Sequence, residues 1–202
     1  RGSQTTFDGV PWGRIPTNTL RSVGVRDLLD PKADVLAHNV TVHLGDIGRA
    51  AGDPYGVTIR SDGVAVVTFA GVNEVAFDDG VGFEWRRVQV GARPTSVALT
   101  PDGERAVVAN SLDDSLSVVR LTGDGAVERT IPMAAPRELT PAERGERLFF
   151  DASVSHDGWM SCHSCHTDGH ANGQLVDNFT DGTQYTPKRV LSLRGVSDTA
   201  PY

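Results

Sequence analysis

The chain has 202 residues, of which 39% are apolar, and a formal net charge of −7 at pH 7. This apolar content is typical of a folded protein with a core rather than of a disordered chain, and the acidic balance argues against nucleic-acid binding, which needs clustered Lys and Arg. No apolar run approaches the roughly 20 residues of a membrane-spanning helix, and two cysteines cannot build a disulfide framework.

The first 38 residues show no clear period, and we expect them to be irregular or to hold partial strands. Within them, SVGVRDLLD (22–30) is compatible with a strand or a short helix. The chain starts with RGSQTTFDG, which lacks the apolar segment of a signal peptide, so we expect a mature form or an internal piece.

Residues 53–123 contain a repeat with a period of 40. The segment PYGVTIRSDG (54–63) aligns without a gap with PTSVALTPDG (94–103), and an Asp-Gly pair ends both copies. Asp-Gly next to alternating apolar segments indicates hairpins of short antiparallel strands. Several strands per unit at a period near 40 predict propeller blades; the alternative is two chance β-meanders in a sandwich.

The second copy, VQVGARPTSVALTPDGERAVVANSLDDSLSVV (88–119), resembles the YVTN-type β-propeller repeat, and the first copy is more diverged. The resemblance implies two blades over residues 39–133. We expect NVTVHL (39–44) to be the leading strand of the first blade and AVERTIPM (126–133) to begin another. A closed propeller takes about four to eight blades, so further blades are expected from the same polypeptide or from another chain.

The pattern changes after residue 133. AAPRE (134–138) is a plausible linker, and TPAERGERLFFD (140–151) has a strong helix start. Thr140 is a good cap, Pro141 suits the first helical position, and Glu143 completes a capping box.

We expect Leu148 and Phe149 to form the buried side of this helix. Loops follow at 156–174 and 177–188, and they carry few apolar residues. A small segment with so little apolar mass usually needs a staple or a cofactor to fold.

The stretch SCHSCHTDGH (161–170) contains both cysteines and three of the six histidines. Cys162, Cys165 and His166 fit C-x-x-C-H, the attachment motif of c-type haem. Two thiols three residues apart on a turn can each bond one vinyl group of the porphyrin, and the next residue can offer its imidazole to the iron. A zinc site with His166 and His170 would crowd four ligands into nine residues, and a redox disulfide lacks its usual βαβ context. Of haem, zinc and a redox disulfide, haem is therefore the favoured interpretation.

The surrounding sequence resembles the bacterial di-haem cytochrome c peroxidase and MauG-like family. ERGERLFFDASVSHDGWMSCHSCHTDGHANGQ (143–174) and KRVLSLRGVSDTAPY (188–202) carry the resemblance. It implies one covalently attached haem c, with thioether bonds from Cys162 and Cys165 and with His166 as the proximal iron ligand.

Two departures from the family pattern stand out. Val190-Leu191 occupies positions where the family usually has Thr-Pro, and the sequence stops at Tyr202, before the family's second C-x-x-C-H and its distal ligand. We therefore expect the distal iron ligand to come from outside residues 156–174, from sequence beyond this chain, or from water.

Other side chains near the motif have weaker indications. Arg194 and Arg189 are candidates to neutralise haem propionates, since Arg commonly pairs with carboxylates, and Trp159 is a candidate to pack near the haem edge. Three further side chains lie too close to the motif in sequence to reach the distal face: His163, His170 and Met160.

Together these features predict a mixed fold, with incomplete all-β propeller blades followed by a small, mainly α, cytochrome c-like segment over residues 134–202. The expected function is one-electron transfer through haem c with a redox partner protein, feeding a peroxidase-like or cofactor-modifying site on missing sequence. Whether the chain is an enzyme stays open; if so, it is a cytochrome c peroxidase or MauG-like oxidoreductase. The alternative is a propeller-based protein-binding module in which the haem is mainly structural. Covalent haem attachment is extracytoplasmic in bacteria, so the family implies a periplasmic or extracellular protein.

Overall fold

The computed structural model describes residues 18–37, 39–78, 85–176 and 187–198. Their regular structure is mainly β-strand, and most of the helical turns come after residue 140. The sequence-based expectations for residues 1–17, 177–186 and 199–202 lie outside the described residues.

Four antiparallel sheets contain all the described strands. Two of the sheets have four strands each and two have only two. The small sheets pair β1 (Thr19–Ser22) with β2 (Val40–His43), and β11 (Leu175–Val176) with β12 (Lys188–Arg189). The first large sheet consists of β3 (Pro54–Ile59), β4 (Ala65–Phe69), β5 (Glu74–Asp78) and β6 (Trp85–Gln89). The second consists of β7 (Pro94–Leu99), β8 (Arg105–Asn110), β9 (Ser115–Arg120) and β10 (Ala126–Pro132). The helices are α1 (Val25–Leu29), α2 (Pro141–Phe149) and α3 (Cys162–Cys165).

The two large sheets confirm the antiparallel strands that the repeat predicts. In each sheet, strands that are consecutive in the chain are neighbours. Gly63 and Gly103 occupy equivalent positions in the β3–β4 and β7–β8 turns, with φ of +93° and +71°. Glycine adopts this left-handed backbone without steric cost, which explains why both Asp-Gly pairs form tight turns.

Two expectations about individual segments need correction. Residues 40–43 pair with β1 and do not lead the first large sheet, whose fourth strand is β6. Residues 126–132 do not begin another unit, because the chain reverses after β9 and returns along it as β10. Within the segment 22–30, residues 25–29 form α1, which is the short helix of the two alternatives. Periodicity identifies extended or helical segments, whereas strand neighbours depend on where the chain reverses.

The large sheets pack face to face around one apolar core. Side chains from both sheets fill this core, and Val66, Val75, Val108 and Val119 have no exposed surface. The first strands of the two sheets, β3 and β7, lie side by side. Where they meet, a Cβ on Gly56 would lie 3.1 Å from the Thr95 carbonyl oxygen, so glycine at this position lets the two backbones come close together.

The outer face of the first large sheet has a second apolar cluster. It contains Val67, Phe69 and Ala76, which Leu44 and Ala51 help to bury. The part of this face on β3 is open, and three large side chains there are more than half exposed: Tyr55, Val57 and Ile59. Among the described residues the sheets form no closed ring, and no strand of one large sheet pairs with a strand of the other.

Helix α2 begins as the sequence predicts. The Glu143 amide donates to Thr140 Oγ1, and the Thr140 amide donates to the Glu143 carboxylate at 2.8 Å. The prediction of a buried Leu148 is wrong, since 59% of its surface is exposed. Phe149 is half-buried and packs edge-on against Phe150, with ring centroids 5.1 Å apart.

Candidate haem-attachment site

Both cysteines lie on the single helical turn α3. Cys162 is exposed and Cys165 is half-buried, and both are free thiols. The turn ends where the His166 amide donates to the Cys162 carbonyl oxygen at 2.9 Å. Residues three apart on a helix lie on the same face, so both thiols are available to one planar group. Burial raises the pKa of the Cys165 thiol, and the negative charges of Asp53 and Cys162 add to this effect.

The imidazole of His166 is oriented by a backbone carbonyl group. Its Nδ1 lies 2.9 Å from the Leu191 carbonyl oxygen and 3.3 Å from that of His170. A carbonyl oxygen can only accept a hydrogen bond, so this contact puts the proton on Nδ1. Nε2 is then left with its lone pair, which is the form in which imidazole binds a metal.

This contact also bears on the departure at Val190-Leu191. Leu191 meets His166 through its backbone carbonyl group, which every residue type possesses. The replacement of Thr-Pro at these positions therefore leaves the orienting hydrogen bond available.

The segment after α3 folds back on the attachment turn. The Asn172 amide donates to the Cys165 carbonyl oxygen at 3.0 Å, and its side chain donates to the Ser164 carbonyl oxygen at 3.1 Å. The Leu193 amide donates to the Gly169 carbonyl oxygen at 3.0 Å. The last described stretch, 187–198, is thereby held beside the loop that contains the histidine.

The segment that follows β10 contacts one end of the first large sheet. The Ala152 amide donates to the Gly71 carbonyl oxygen at 2.7 Å, and the Ala50 amide donates to the Asp157 carbonyl oxygen at 3.0 Å. A Cβ on Gly52 would lie 2.6 Å from the Ala152 Cβ, so the two surfaces touch closely there. These contacts fix the attachment turn relative to the first large sheet.

Asp53 and Arg93, which sequence reasoning missed, occupy equivalent positions in the repeat, each just before the proline that starts a sheet. Both have left-handed backbones, with φ of +47° and +54°. Asp53 accepts hydrogen bonds from the hydroxyl groups of Ser161 and Ser164, and the Arg93 guanidinium lies 3.5 Å from the centroid of the Phe150 ring. Their shared place before Pro54 and Pro94 was a signal in the repeat, but only the fold shows what they contact.

The three weaker candidates, Arg194, Arg189 and Trp159, lie in different surroundings. Arg194 lies against the haem-attachment loop, where its Nη2 donates to the Asp168 carbonyl oxygen at 3.3 Å. Arg189 is exposed on β12, opposite Leu175. Trp159 is half-buried at the end of a 3₁₀ turn, three residues before Cys162.

The side chain of His163, inside the motif, is mostly buried. Only 14% of its side chain is exposed, and its ring packs on that of Phe150 with centroids 4.9 Å apart. Its Nε2 lies 3.7 Å from Asp168 Oδ1. His170 is exposed, as expected for a loop residue.

The residues present fit a haem group. In the described part of residues 134–198, the only buried apolar side chain is that of Ala152. Leu191, whose carbonyl group orients His166, is 73% exposed, and Leu193 and Val196 are 36% and 42% exposed. A flat apolar group bonded to the two thiols would cover such side chains, and burial of apolar area is favourable. Within the described residues, no group of three or more His, Cys, Asp or Glu side chains is arranged to hold a bare metal ion.

Comparisons with known proteins give a partial match. No curated protein matches the chain significantly. Among solved structures, the chain is similar to hydrazine synthase from Kuenenia stuttgartiensis, with 27% identity, 41% of this chain and 24% of that chain covered, and a TM-score of 0.38. The match thus spans about a quarter of that chain. The resemblance of residues 88–119 to a YVTN-type repeat stays a prediction. The predicted resemblance of the C-terminal segment is confirmed, because residues 140–195 match the family model of the di-haem cytochrome c peroxidases.

Proposed function

We propose that this chain is a haem c redox protein that transfers single electrons. Cys162 and Cys165 would hold the group through thioether bonds, and His166 would offer Nε2 to the iron. Bound haem c supplies a one-electron iron couple. The observation that carries the proposal is the hydrogen bond from His166 Nδ1 to the Leu191 carbonyl oxygen, which leaves the other ring nitrogen available. The match of residues 140–195 to a haem-binding family supports it.

The surroundings of the turn suggest how the protein would tune this group. Arg194 is held beside the loop and would compensate a propionate charge, and Arg189 is an exposed second candidate. Trp159 would pack near the ring edge. Axial ligation, burial and nearby charge are the features by which a protein adjusts a haem potential. A peroxidase-like or MauG-like reaction, with a redox partner protein, is the finer part of this proposal.

The proposed location is the periplasm or the cell exterior, where bacteria attach haem c covalently. None of the helices in the described part of the chain is long and apolar enough to cross a membrane.

We further propose that the two large sheets are blades of a β-propeller. Their sequential antiparallel strands and their face-to-face core support this assignment. The exposed stripe of Tyr55, Val57 and Ile59 on the outer face of β3 is apolar, and a further blade packed on it would bury that area. Such blades would come from the same polypeptide or from another chain.

The second candidate function is a protein-binding module in which haem c serves mainly as a structural staple. The scarcity of buried apolar side chains in residues 134–198 favours it, because a small segment of this kind needs an added core. A redox titration separates the two functions. A midpoint potential that shifts when the partner binds supports electron transfer, and an unchanged potential supports the staple.

The first experiment tests covalent attachment. The full chain is produced in a bacterium with a c-type haem maturation system, and the denatured protein is examined by mass spectrometry and haem staining. We expect one haem-sized mass increment that resists acid-acetone extraction. Cys162→Ala or Cys165→Ala should lower haem retention, and His166→Ala should retain the haem but change its spectrum. His170→Ala, in the same loop, is the matched control and should leave both unchanged. Loss of all haem on extraction from the unaltered chain would remove the basis of the proposal.

A further inference from the structure

Asp53 lies at the junction between the first large sheet and the attachment turn. Its Oδ1 accepts a hydrogen bond from Ser164 Oγ at 2.5 Å, and its Oδ2 accepts one from Ser161 Oγ. These serines immediately precede Cys162 and Cys165 in sequence. One carboxylate on the sheet therefore holds both halves of the turn that carries the two thiols.

The partners of Asp53 are themselves fixed. Ser161 is buried, with 4% of its surface exposed, and its amide donates to Ser164 Oγ at 2.9 Å. On the sheet side, the Ala70 amide donates to the Asp53 carbonyl oxygen at 2.9 Å. Hydroxyl-to-carboxylate hydrogen bonds are charge-assisted and stronger than neutral ones. The contact thus joins two hydrogen-bonded elements that are more than 100 residues apart in the chain.

We propose that Asp53 is the positioning residue through which the β-sheet sets the orientation of the haem-attachment turn. Neither serine has to touch the haem for this role, because the turn itself carries both thiols. The effect on the haem, namely that the sheet sets the orientation of the haem plane, rests on the proposed haem function. The contact itself involves only groups of the protein.

The first test variant removes the Asp53 carboxylate without straining the left-handed backbone at this position. Asp53→Gly removes the side chain and keeps a residue that tolerates the left-handed φ of +47°. Asp114→Gly is the matched control, since Asp114 is also left-handed, with φ of +46°, and lies in the β8–β9 turn of the second large sheet. Ser161→Ala combined with Ser164→Ala removes both donors and keeps the charge of Asp53. It also removes the hydrogen bond from the Ser161 amide to Ser164 Oγ, which Asp53→Gly leaves in place, so the Asp53 variant decides the exchange test.

Two measurements on the full chain test the inference. In hydrogen exchange, we expect peptides covering 161–166 to exchange about tenfold faster in Asp53→Gly and in the double-serine variant, while peptides of β8 and β9 keep their protection. In the haem-loaded protein, we expect both variants to change the Soret-region circular dichroism in the same way. Asp114→Gly should change neither.

The inference is overturned if residues 161–166 keep their protection in Asp53→Gly, or if Asp114→Gly loosens them equally. It is also overturned if the double-serine variant leaves the Soret signal unchanged. If Asp53→Gly does not fold, Asp53→Asn carries the same test, because Asn tolerates the left-handed backbone and replaces one acceptor oxygen with a donor group. Exchange is also measured in a chain with Cys162→Ala and Cys165→Ala, which holds no thioether. Its result stands even if the proposed haem function fails.

Discussion

The buried ion pair between Glu74 and Arg87 supports the end of the first large sheet on which the attachment turn lies. Only 12% of the Glu74 side chain and 5% of the Arg87 side chain are exposed, and the Arg87 Nε donates to Glu74 Oε2. The Arg87 guanidinium also donates to the carbonyl oxygens of Arg49 and Ala50, each at 2.8 Å. Burial lowers the pKa of Arg87, and Glu74 opposes that effect. Glu74→Ala would therefore leave a buried cation without its counter-charge.

Breaking one side of a buried pair typically costs about 3–5 kcal/mol. We expect Glu74→Ala to lower the free energy of unfolding by about 3 kcal/mol, the lower end, because the two carbonyl oxygens continue to solvate the cation. Loosening of the Arg49–Ala50 backbone should also weaken the hydrogen bond from the Ala50 amide to Asp157, and with it the docking of the attachment segment.

Urea unfolding followed by tryptophan fluorescence measures this loss. The matched control is Glu128→Ala, which removes the same charge from a partly exposed cluster, where Glu128 lies 2.7 Å from Arg105 and 3.5 Å from Arg120. An exposed pair of this kind contributes at most about 1 kcal/mol. If Glu74→Ala costs no more than Glu128→Ala, the reasoning about the buried pair is wrong.

Four further predictions concern the segment after β10, which carries the two cysteines, and its contact with the first large sheet. Gly145→Ala should stabilise the protein by up to about 1 kcal/mol in thermal unfolding, because a Cβ there meets nothing within 4 Å and Ala is the better helix former. Gly52→Ala should instead destabilise the protein and make the segment after β10 more sensitive to limited proteolysis, because the new Cβ would lie 2.6 Å from that of Ala152. Cleavage at the same rate as in the unaltered protein would contradict this close packing. Glu143 should remain ionised at about pH 3 in an NMR titration, because Arg137 and then Thr140 hold the pKa of its carboxyl well below its usual range. The stability from this folded-state shift is present above the unfolded pKa and is lost as the pH falls through the lower folded pKa. Adding cyanide to the haem-loaded protein should shift the Soret band promptly if the distal position is open, and a low-spin spectrum without a shift would indicate a protein ligand.

Features that depend on neighbouring residues were predictable from the sequence. The alternating apolar pattern and the Asp-Gly turns predicted the hairpins of both large sheets, since strand preference and turn geometry are local. Thr140, Pro141 and Glu143 predicted the start of α2 for the same reason, because a helix cap forms within one turn. The C-x-x-C-H motif likewise indicates haem attachment without any tertiary information, because its three functional side chains lie within five residues, and the attachment itself stays a prediction.

Which distant segments meet depends on how the whole chain packs, and the sequence did not predict it. Residues 40–43 were identifiable as a strand, but their pairing with β1 follows from the path of the chain between them. The exposure of Leu148 depends on where α2 docks, which its own amphipathic pattern does not specify. Likewise, the partner of His166 is a backbone carbonyl group 25 residues away, and backbone groups leave no mark in the sequence. The contact of Asp53 with Ser161 joins residues 108 positions apart, and it forms only because the packed sheets bring the two surfaces together.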